Sequence, residues 1–345
     1  MRCPTLSELP PPPSGKTGWP WTEEGSQLPD VMPDGSEWPR ISIVTPSYNQ
    51  GQFIEETIRS ILLQGYPNIE YIIIDGGSTD NTLEIIKKYQ QYIAYWVSEP
   101  DNGQSYALNK GFRKATGQFI GWQNSDDFYD NAAFVKTVEA SLVYPNVDII
   151  YGTTHNIDET GGFIRKYPVS AFDIHEMIPY LNMCNQSMFF RRKIFDKDNF
   201  IDEEFRHAMD LEFLVRLALK NHKFYFCPDI LGYYRVHKYA KGSTQNNIAL
   251  KECLTIYSWI AEDRNVVSSV KDKAILSIYG LCLDSFRQLE LDTFHKGIKV
   301  LTSLSGLRHV DTKLAIKYLL SLLESNKLGK LIQLKDSLKL NLQPK

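Results

Sequence analysis

The chain has 345 residues, 43% hydrophobic and 23% charged, enough apolar material for one large or two ordinary domains and too much for a disordered chain. Its 38 basic and 41 acidic side chains leave a net charge of −3, which disfavours a nucleic-acid binder that relies on a basic phosphate footprint. The longest apolar runs, such as Ile72–Ile74, fall far short of the roughly 20 residues of a membrane span, and five scattered cysteines without a CxxC pair fit free thiols in a reducing compartment.

The opening Met1-Arg2-Cys3-Pro4 has no apolar run behind it, so no secretory leader is expected and a cytoplasmic location is. Residues 1–40 form a Pro/Trp-rich extension. The four prolines Pro10–Pro13 exclude a helix or a central strand, so this stretch is predicted to run extended. Trp19, Trp21 and Trp38 predict that part of it packs on the domain that follows.

From Ile41 the pattern changes. Ile41, Ile43 and Val44 predict a buried strand that ends in the polar loop Thr45-Pro46-Ser47-Tyr48-Asn49. Phe53, Thr57, Ile58, Ile61 and Leu62 recur at helical spacing until Gly65-Tyr66-Pro67 stops them. Ile69–Ile74 reads as a strand covered on both faces, ending at Asp75-Gly76-Gly77-Ser78-Thr79-Asp80, with a helix from about Asn81. A third strand is predicted near 93–98, a helix near 105–115, and a fourth strand near 119–123 that runs into Asn124-Ser125-Asp126-Asp127. This alternation argues for an open parallel α/β sheet, in which ligands bind beyond the carboxyl ends of the strands. Residues 147–236 read as mixed α/β, with strands near 147–151, 186–190 and 222–226 and a helix near 209–220. The divisions are therefore 1–40, an α/β domain over 41–245, and a helical region over 246–345.

Three polar strand ends carry the chemistry. Adjacent carboxylates such as Asp126-Asp127 can share a hard divalent cation with phosphate oxygens, although an Asp-Asp pair alone is usually a solvated turn. Asp75 and Gly76 offer an acceptor and a close backbone approach, while Ser78 and Asp80 suit a helix cap. Asp210 opens a short helix, where a carboxylate serves as a general base or simply complements the helix dipole. No GxGxxG, P-loop, HExxH or GxSxG pattern is present. His237, just after Arg235, is the one histidine in a suggestive setting.

Taken in order, these segments resemble family-2 glycosyltransferases. Ile41–Asn49, Ile54–Ile61, Tyr71–Asp80, Glu99-Pro100-Asp101-Asn102-Gly103, Ala107–Gly111 and Ala115-Thr116-Gly117 all resemble the family's opening half. Asn124–Asp127 falls where the family has its DxD-type metal motif. Asn185-Gln186-Ser187 is similar to its acceptor-side HQS segment, and Met209–Glu212 to its ED-type motif, whose Asp is the base. The resemblance spans roughly residues 41–240. It implies the GT-A fold, a nucleotide-binding mixed sheet flanked by helices, and an inverting transfer from a nucleotide-sugar donor with Mn2+ or Mg2+.

On this resemblance Asp210 is the catalytic base and Asp127 the direct metal ligand. Asp126 contacts the ribose or the metal's waters, with His237 a weaker metal candidate. Thr45, Pro46, Ser47, Asn49, Asp75, Gly76, Asp101 and Asn109 line the donor site, and Gln186 and Glu212 the acceptor side. Gly76 stands where many relatives have a second acid that contacts the base, so Asp101 or backbone groups take that task and UDP is the default. Asn124 stands where a strict DxD has its first Asp.

The implied acceptor is a glycan or a lipid-linked sugar in polysaccharide or glycan assembly, with no nucleic-acid partner. A nucleotidyltransferase would show a basic glycine-rich phosphate loop, which 45–51 lacks, and a non-catalytic scaffold on the same fold has no need of Asp126, Asp127 and Asp210 together. Residues 301–345 hold eight Lys/Arg against three acids. Leu314, Tyr318, Leu319, Leu322 and Leu323 are predicted on one helical face. A basic amphipathic helix of this kind can lie on the inner face of an anionic membrane.

Overall fold

In a computed structural model the described residues are 1–238, 240–241, 246–306 and 308–322. They fall into two compact units, Met1–Asp173 with Leu181–Ala240, and Ile174–Tyr180 with the chain from Lys241 onward.

The first unit is built on β1 (Ile41–Ser47), α1 (Ile54–Leu62), β2 (Ile69–Asp75), α2 (Thr82–Tyr89), β3 (Tyr95–Ser98), α3 (Gln104–Lys114) and β4 (Phe119–Trp122). These repeated strand–helix steps give parallel pairing of β3–β2–β1–β4. Chain order moves from β1 outward to β3 and then returns to the other side of β1. The carboxyl ends of β1, β2 and β4 thus meet at a topological switch point, where open α/β sheets bind ligands.

Beyond β4 the sheet becomes mixed, as expected for residues 147–236. It continues through β8 (Met188–Arg191), β6 (Ile149–Ile157), β9 (Phe224–Arg235) and β5 (Phe128–Tyr129), with β7 (Phe163–Lys166) pairing β6. β8 is antiparallel to both β4 and β6, whereas β9 is parallel to β6 and antiparallel to β5. α4 (Ala133–Val143) and α6 (Met209–Leu219) complete the layer. β9 runs to Arg235, well past the predicted end at 226, and carries the chain to His237.

One core cluster joins Ile41, Ile43, Tyr71 and Ile73 of the sheet to Ile54, Ile58, Ile61 and Leu62 of α1 and to Phe134 and Val138 of α4. Cys3, Leu9, Met32 and Trp38 of the extension belong to the same cluster. Residues 1–40 are therefore a strap wound onto α1. Its anchor is Arg59, a fully buried guanidinium that donates to the carbonyls of Pro10, Pro20 and Trp21 at 2.9–3.0 Å and to the Tyr89 hydroxyl at 3.1 Å. A buried charge survives only when its donors are satisfied, and the proline-rich strap supplies carbonyls that no helix or strand has claimed.

The second unit holds α5 (Ile174–Met177) and helices Asn246–Glu262, Ser268–Arg287, Leu291–Ser305 and Thr312–Ser321, packed through residues such as Ile260, Ile278, Phe286, Phe294 and Leu301. In the last helix Leu314 is buried, while Leu319 and Leu322 are each 65% exposed, so the predicted stripe is divided between two faces. Leu323, the lysines from 327 to 345 and residues 242–245 beside the expected domain boundary lie outside the described residues. Among the described residues no helix is long and apolar enough to cross a membrane.

Candidate active site

The loop after β4 is shaped by residues on every side of it. The chain turns tightly over Ser125 and Asp126, with Asp127 N–H donating to the Asn124 carbonyl at 3.3 Å, and the two acids leave the turn in different directions. Asp127 is 1% exposed and turns inward, where its carboxylate accepts from the Arg235 backbone N–H (2.7 Å), Gln186 Nε2 (2.6 Å) and Asn124 Nδ2 (3.2 Å). Burial, and then the charge of Asp126, push its pKa well above the usual carboxylate range, against the pull of those three donors.

Asn124 also accepts from Trp122 Nε1 and Gln104 Nε2, both at 2.8 Å. The amide at this position is thus explained: a carboxylate there would have no N–H for Asp127.

Asp126 faces the other way, and its Oδ2 lies 3.0 Å from His237 Nε2. His237 is buried against the Phe53 ring, with centroids 4.8 Å apart. Two ligands about 2.1 Å from one octahedral ion and cis to each other are about 3.0 Å apart, so the pair fits a shared Mg2+ or Mn2+. No three His, Cys, Asp or Glu side chains cluster among the described residues. The protein would supply two ligands, leaving the remaining positions to diphosphate oxygens and water.

Asp210 lies in the first turn of α6, and its Oδ1 accepts from the Leu211 N–H at 2.8 Å. Tyr234 of β9 feels the charge of Asp210 and of the acid pair alike. Burial raises the Tyr234 pKa most, and the charges of Asp127, Asp126 and Asp210 all add to the rise. Asp210, more than 80 residues beyond the Asp126-Asp127 pair in sequence, thus acts on the same tyrosine of β9 as that pair does. α3 helps to hold the segment before α6, because Asn109 Nδ2 donates to the Ile201 carbonyl and to Glu203, and Ser105 Oγ donates to the Phe205 carbonyl.

Several expected site residues are engaged elsewhere. Asp75 is fully buried and accepts from Gly77 N, Ser78 N, Ser78 Oγ and Ser98 Oγ at 2.5–3.1 Å, so it builds the turn after β2. Thr45 points into the core and accepts from the Tyr71 hydroxyl at 3.3 Å. Asn109 is buried in the clamp just described. Glu212 forms a bidentate pair with Arg216 one helical turn on, at 2.6 and 3.0 Å. Gln186 is buried behind Asp127. Each of these polar groups is consumed by a buried structural contact, which the residue type alone does not reveal.

Pro46, Ser47, Asn49, Gly76 and Asp101 do lie at the carboxyl edge. Asn49 adopts a left-handed φ of 52° and its Oδ1 accepts from Thr79 N, tying the β1 and β2 loops together. A Cβ at Gly76 would come within 3.0–3.2 Å of the Asp101 carboxylate, so the glycine is what allows Asp101 to lie against the end of β2. Burial first, and the charge of Asp75 among the lesser causes, raise the Asp101 pKa. Sequence reasoning passed over Tyr48, which is 62% exposed on the β1 loop, and it passed over Arg235, Glu56 and Asn124 as supports. The Arg-x-His spacing beyond a long strand was the one available signal for Arg235.

Known proteins share the family and the fold of this chain. An uncharacterized glycosyltransferase of Mycobacterium tuberculosis is 30% identical over 184 residues, covering 52% of this chain and 70% of that protein. A putative teichuronic acid biosynthesis glycosyltransferase of Bacillus subtilis, TuaG, is 35% identical over 106 residues, covering 29% of this chain and 41% of its own. Among solved structures, residues 1–349 of TarS from S. aureus in complex with UDP-GlcNAc match with a TM-score of 0.62 at 16% identity, covering 77% of this chain and 81% of that one. The mannosyltransferase PcManGT from Pyrobaculum calidifontis, in complex with GDP-Man and Mn2+, matches with a TM-score of 0.55 at 17% identity, covering 90% and 88%. The fold is therefore that of the GT-A glycosyltransferases. The family model "Glycosyl transferase family 2" matches residues 42–228, more than half of the chain, and the protein belongs to glycosyl transferase family 2.

Proposed function

We propose that this glycosyltransferase inverts the anomeric centre of a nucleoside-diphosphate sugar, with uridine as the default base, and requires Mn2+ or Mg2+. The observation that carries the reading is His237 Nε2 at 3.0 Å from Asp126 Oδ2, beside the buried Asp127 at the carboxyl edge of the sheet.

Asp126 and His237, rather than Asp127, would hold the cation, which when bound neutralises the diphosphate leaving group. Asp127 serves from behind by fixing Arg235, Gln186 and Asn124. Asp210 takes the proton of the acceptor hydroxyl. The acceptor oxygen then bonds to the anomeric carbon from the face opposite the diphosphate, as the bond from that carbon to the phosphate oxygen breaks. One base suffices for a direct displacement of this kind.

Tyr48 offers a ring face to the base, and Asp101 offers an acceptor for a ring N–H, the task Asp75 cannot perform with four donors already on its carboxylate. The acceptor is a glycan or lipid-linked sugar of polysaccharide or glycan assembly. The exposed Leu319 and Leu322 support peripheral contact with a membrane surface.

The test is release of the nucleoside diphosphate from a panel of UDP-, GDP- and other nucleotide sugars with Mn2+. The reading expects one preferred donor and loss of release in EDTA. Release that is indifferent to EDTA would refute the cation requirement.

A further inference from the structure

Arg235 is 1% exposed, so its guanidinium touches no substrate, yet it contacts nearly every segment around the cation pair. Its backbone N–H holds Asp127 Oδ1 at 2.7 Å, and Nε donates to the Asp126 carbonyl at 3.0 Å. Nη1 donates to the carbonyls of Asp158 and Glu159 in the β6–β7 turn, at 3.1 and 3.0 Å. Nη2 donates to Glu56 Oε2 of α1 at 2.8 Å, in a pair that is almost wholly out of water. The guanidinium lies 5.0 Å from the Phe53 ring centroid and 5.6 Å from that of Phe128, and the same Phe53 ring supports His237 two residues further on.

We infer that Arg235 and Glu56 are the positioning residues of the cation site, setting the separation of Asp126 and His237 without touching the ion. The inference rests on the Asp126–His237 reading above. A buried guanidinium beside two carboxylates is drawn to them, and a fork resting on Asp126 would cancel the charge that the cation needs. Glu56 prevents this. It gives Arg235 a counter-charge on the α1 side, so the guanidinium is held by Glu56 and three carbonyls, and the Asp126 carboxylate stays opposite His237. A lysine has one ammonium and no fork, so it cannot reach α1, the acidic loop and the β6–β7 turn at once. Supports one step behind a metal ligand typically change metal affinity by about 10–100-fold when removed.

The experiment titrates Mn2+ alone into the full-length protein and reads free Mn2+ by electron paramagnetic resonance. The variants are Glu56→Gln, Arg235→Lys and Asp126→Asn, and UDP affinity is measured in parallel in EDTA. Glu56→Gln and Arg235→Lys are expected to weaken Mn2+ by about tenfold and to leave metal-free UDP affinity within about twofold. Glu56→Gln preserves size and one hydrogen bond, so it carries the test if Arg235→Lys does not fold. Wild-type Mn2+ affinity in Glu56→Gln, alongside its loss in Asp126→Asn, would overturn the inference whatever the melting temperatures. Unchanged Mn2+ binding in Asp126→Asn would instead refute the cation pair itself.

Discussion

Replacing Asp127 by alanine separates a supporting acid from a ligating one. The substitution removes the shared acceptor of Arg235 N, Gln186 Nε2 and Asn124 Nδ2, the first two fully enclosed and the third partly so. Each buried donor left without a partner costs about 1–3 kcal/mol. Loss of a desolvated charge repays part of that sum, which leaves a net destabilisation of about 3 kcal/mol, or about 6–12 °C in the melting temperature of a unit this size.

Asp126→Ala strips a more exposed carboxylate that faces His237. Its melting temperature is expected to fall by no more than about 3 °C, while Mn2+ binding is lost. The pH dependence adds a signature. The Asp127 pKa is raised on folding, so its contribution favours the folded state in acid and is lost as pH rises through the folded value. The stability margin of wild type over Asp127→Ala should therefore be widest in acid and narrow toward alkaline pH. Thermal melts in EDTA at several pH values, with Mn2+ titrations, read all three quantities. An Asp127→Ala protein that melts like wild type but cannot bind Mn2+ would refute the division of roles.

Asp210→Asn should leave donor affinity intact by calorimetry and lower transfer by a factor of about 10² or more; weakened donor binding with normal turnover would make Asp210 a helix-start residue only. Arg59→Met should release the strap, because the carbonyls of Pro10, Pro20 and Trp21 lose their donor; limited proteolysis before residue 40 at the wild-type rate would contradict this. Burial lifts the thiols of Cys3 and Cys282 to about 12, so both should resist thiol reagents in the native protein at pH 8 while the half-buried Cys253 reacts first; rapid labelling of Cys3 would show that the strap opens. Co-sedimentation with anionic vesicles at low salt, reversed by about 0.5 M salt and lost in Leu319→Ser/Leu322→Ser, is the outcome expected of a peripheral helix; equal sedimentation of both proteins would remove that contact.

The strand–loop–helix order, the three polar strand ends and the acid pair were legible in the sequence because their signals are local. Periods of two and 3.6 residues are written in neighbouring side chains, and parallel βα units bring alternate loops to one edge by geometry alone. What each polar residue does at that edge was not legible, because it depends on groups distant in sequence. Asp126 and Asp127 are identical neighbours in the sequence. Only the arrival of Arg235 and His237 at the end of β9, more than 100 residues later, makes one the acceptor of a buried N–H and sets the other opposite an imidazole. Asp75, Thr45 and Asn109 look like ligand contacts until packing supplies their partners, and Glu212 until Arg216 reaches back to it. The extension, whose tryptophans predict packing, is held as a strap because Arg59 is buried beneath it. In each case the residue type states a capacity for hydrogen bonding, and the tertiary structure decides, through burial, which distant group must satisfy it.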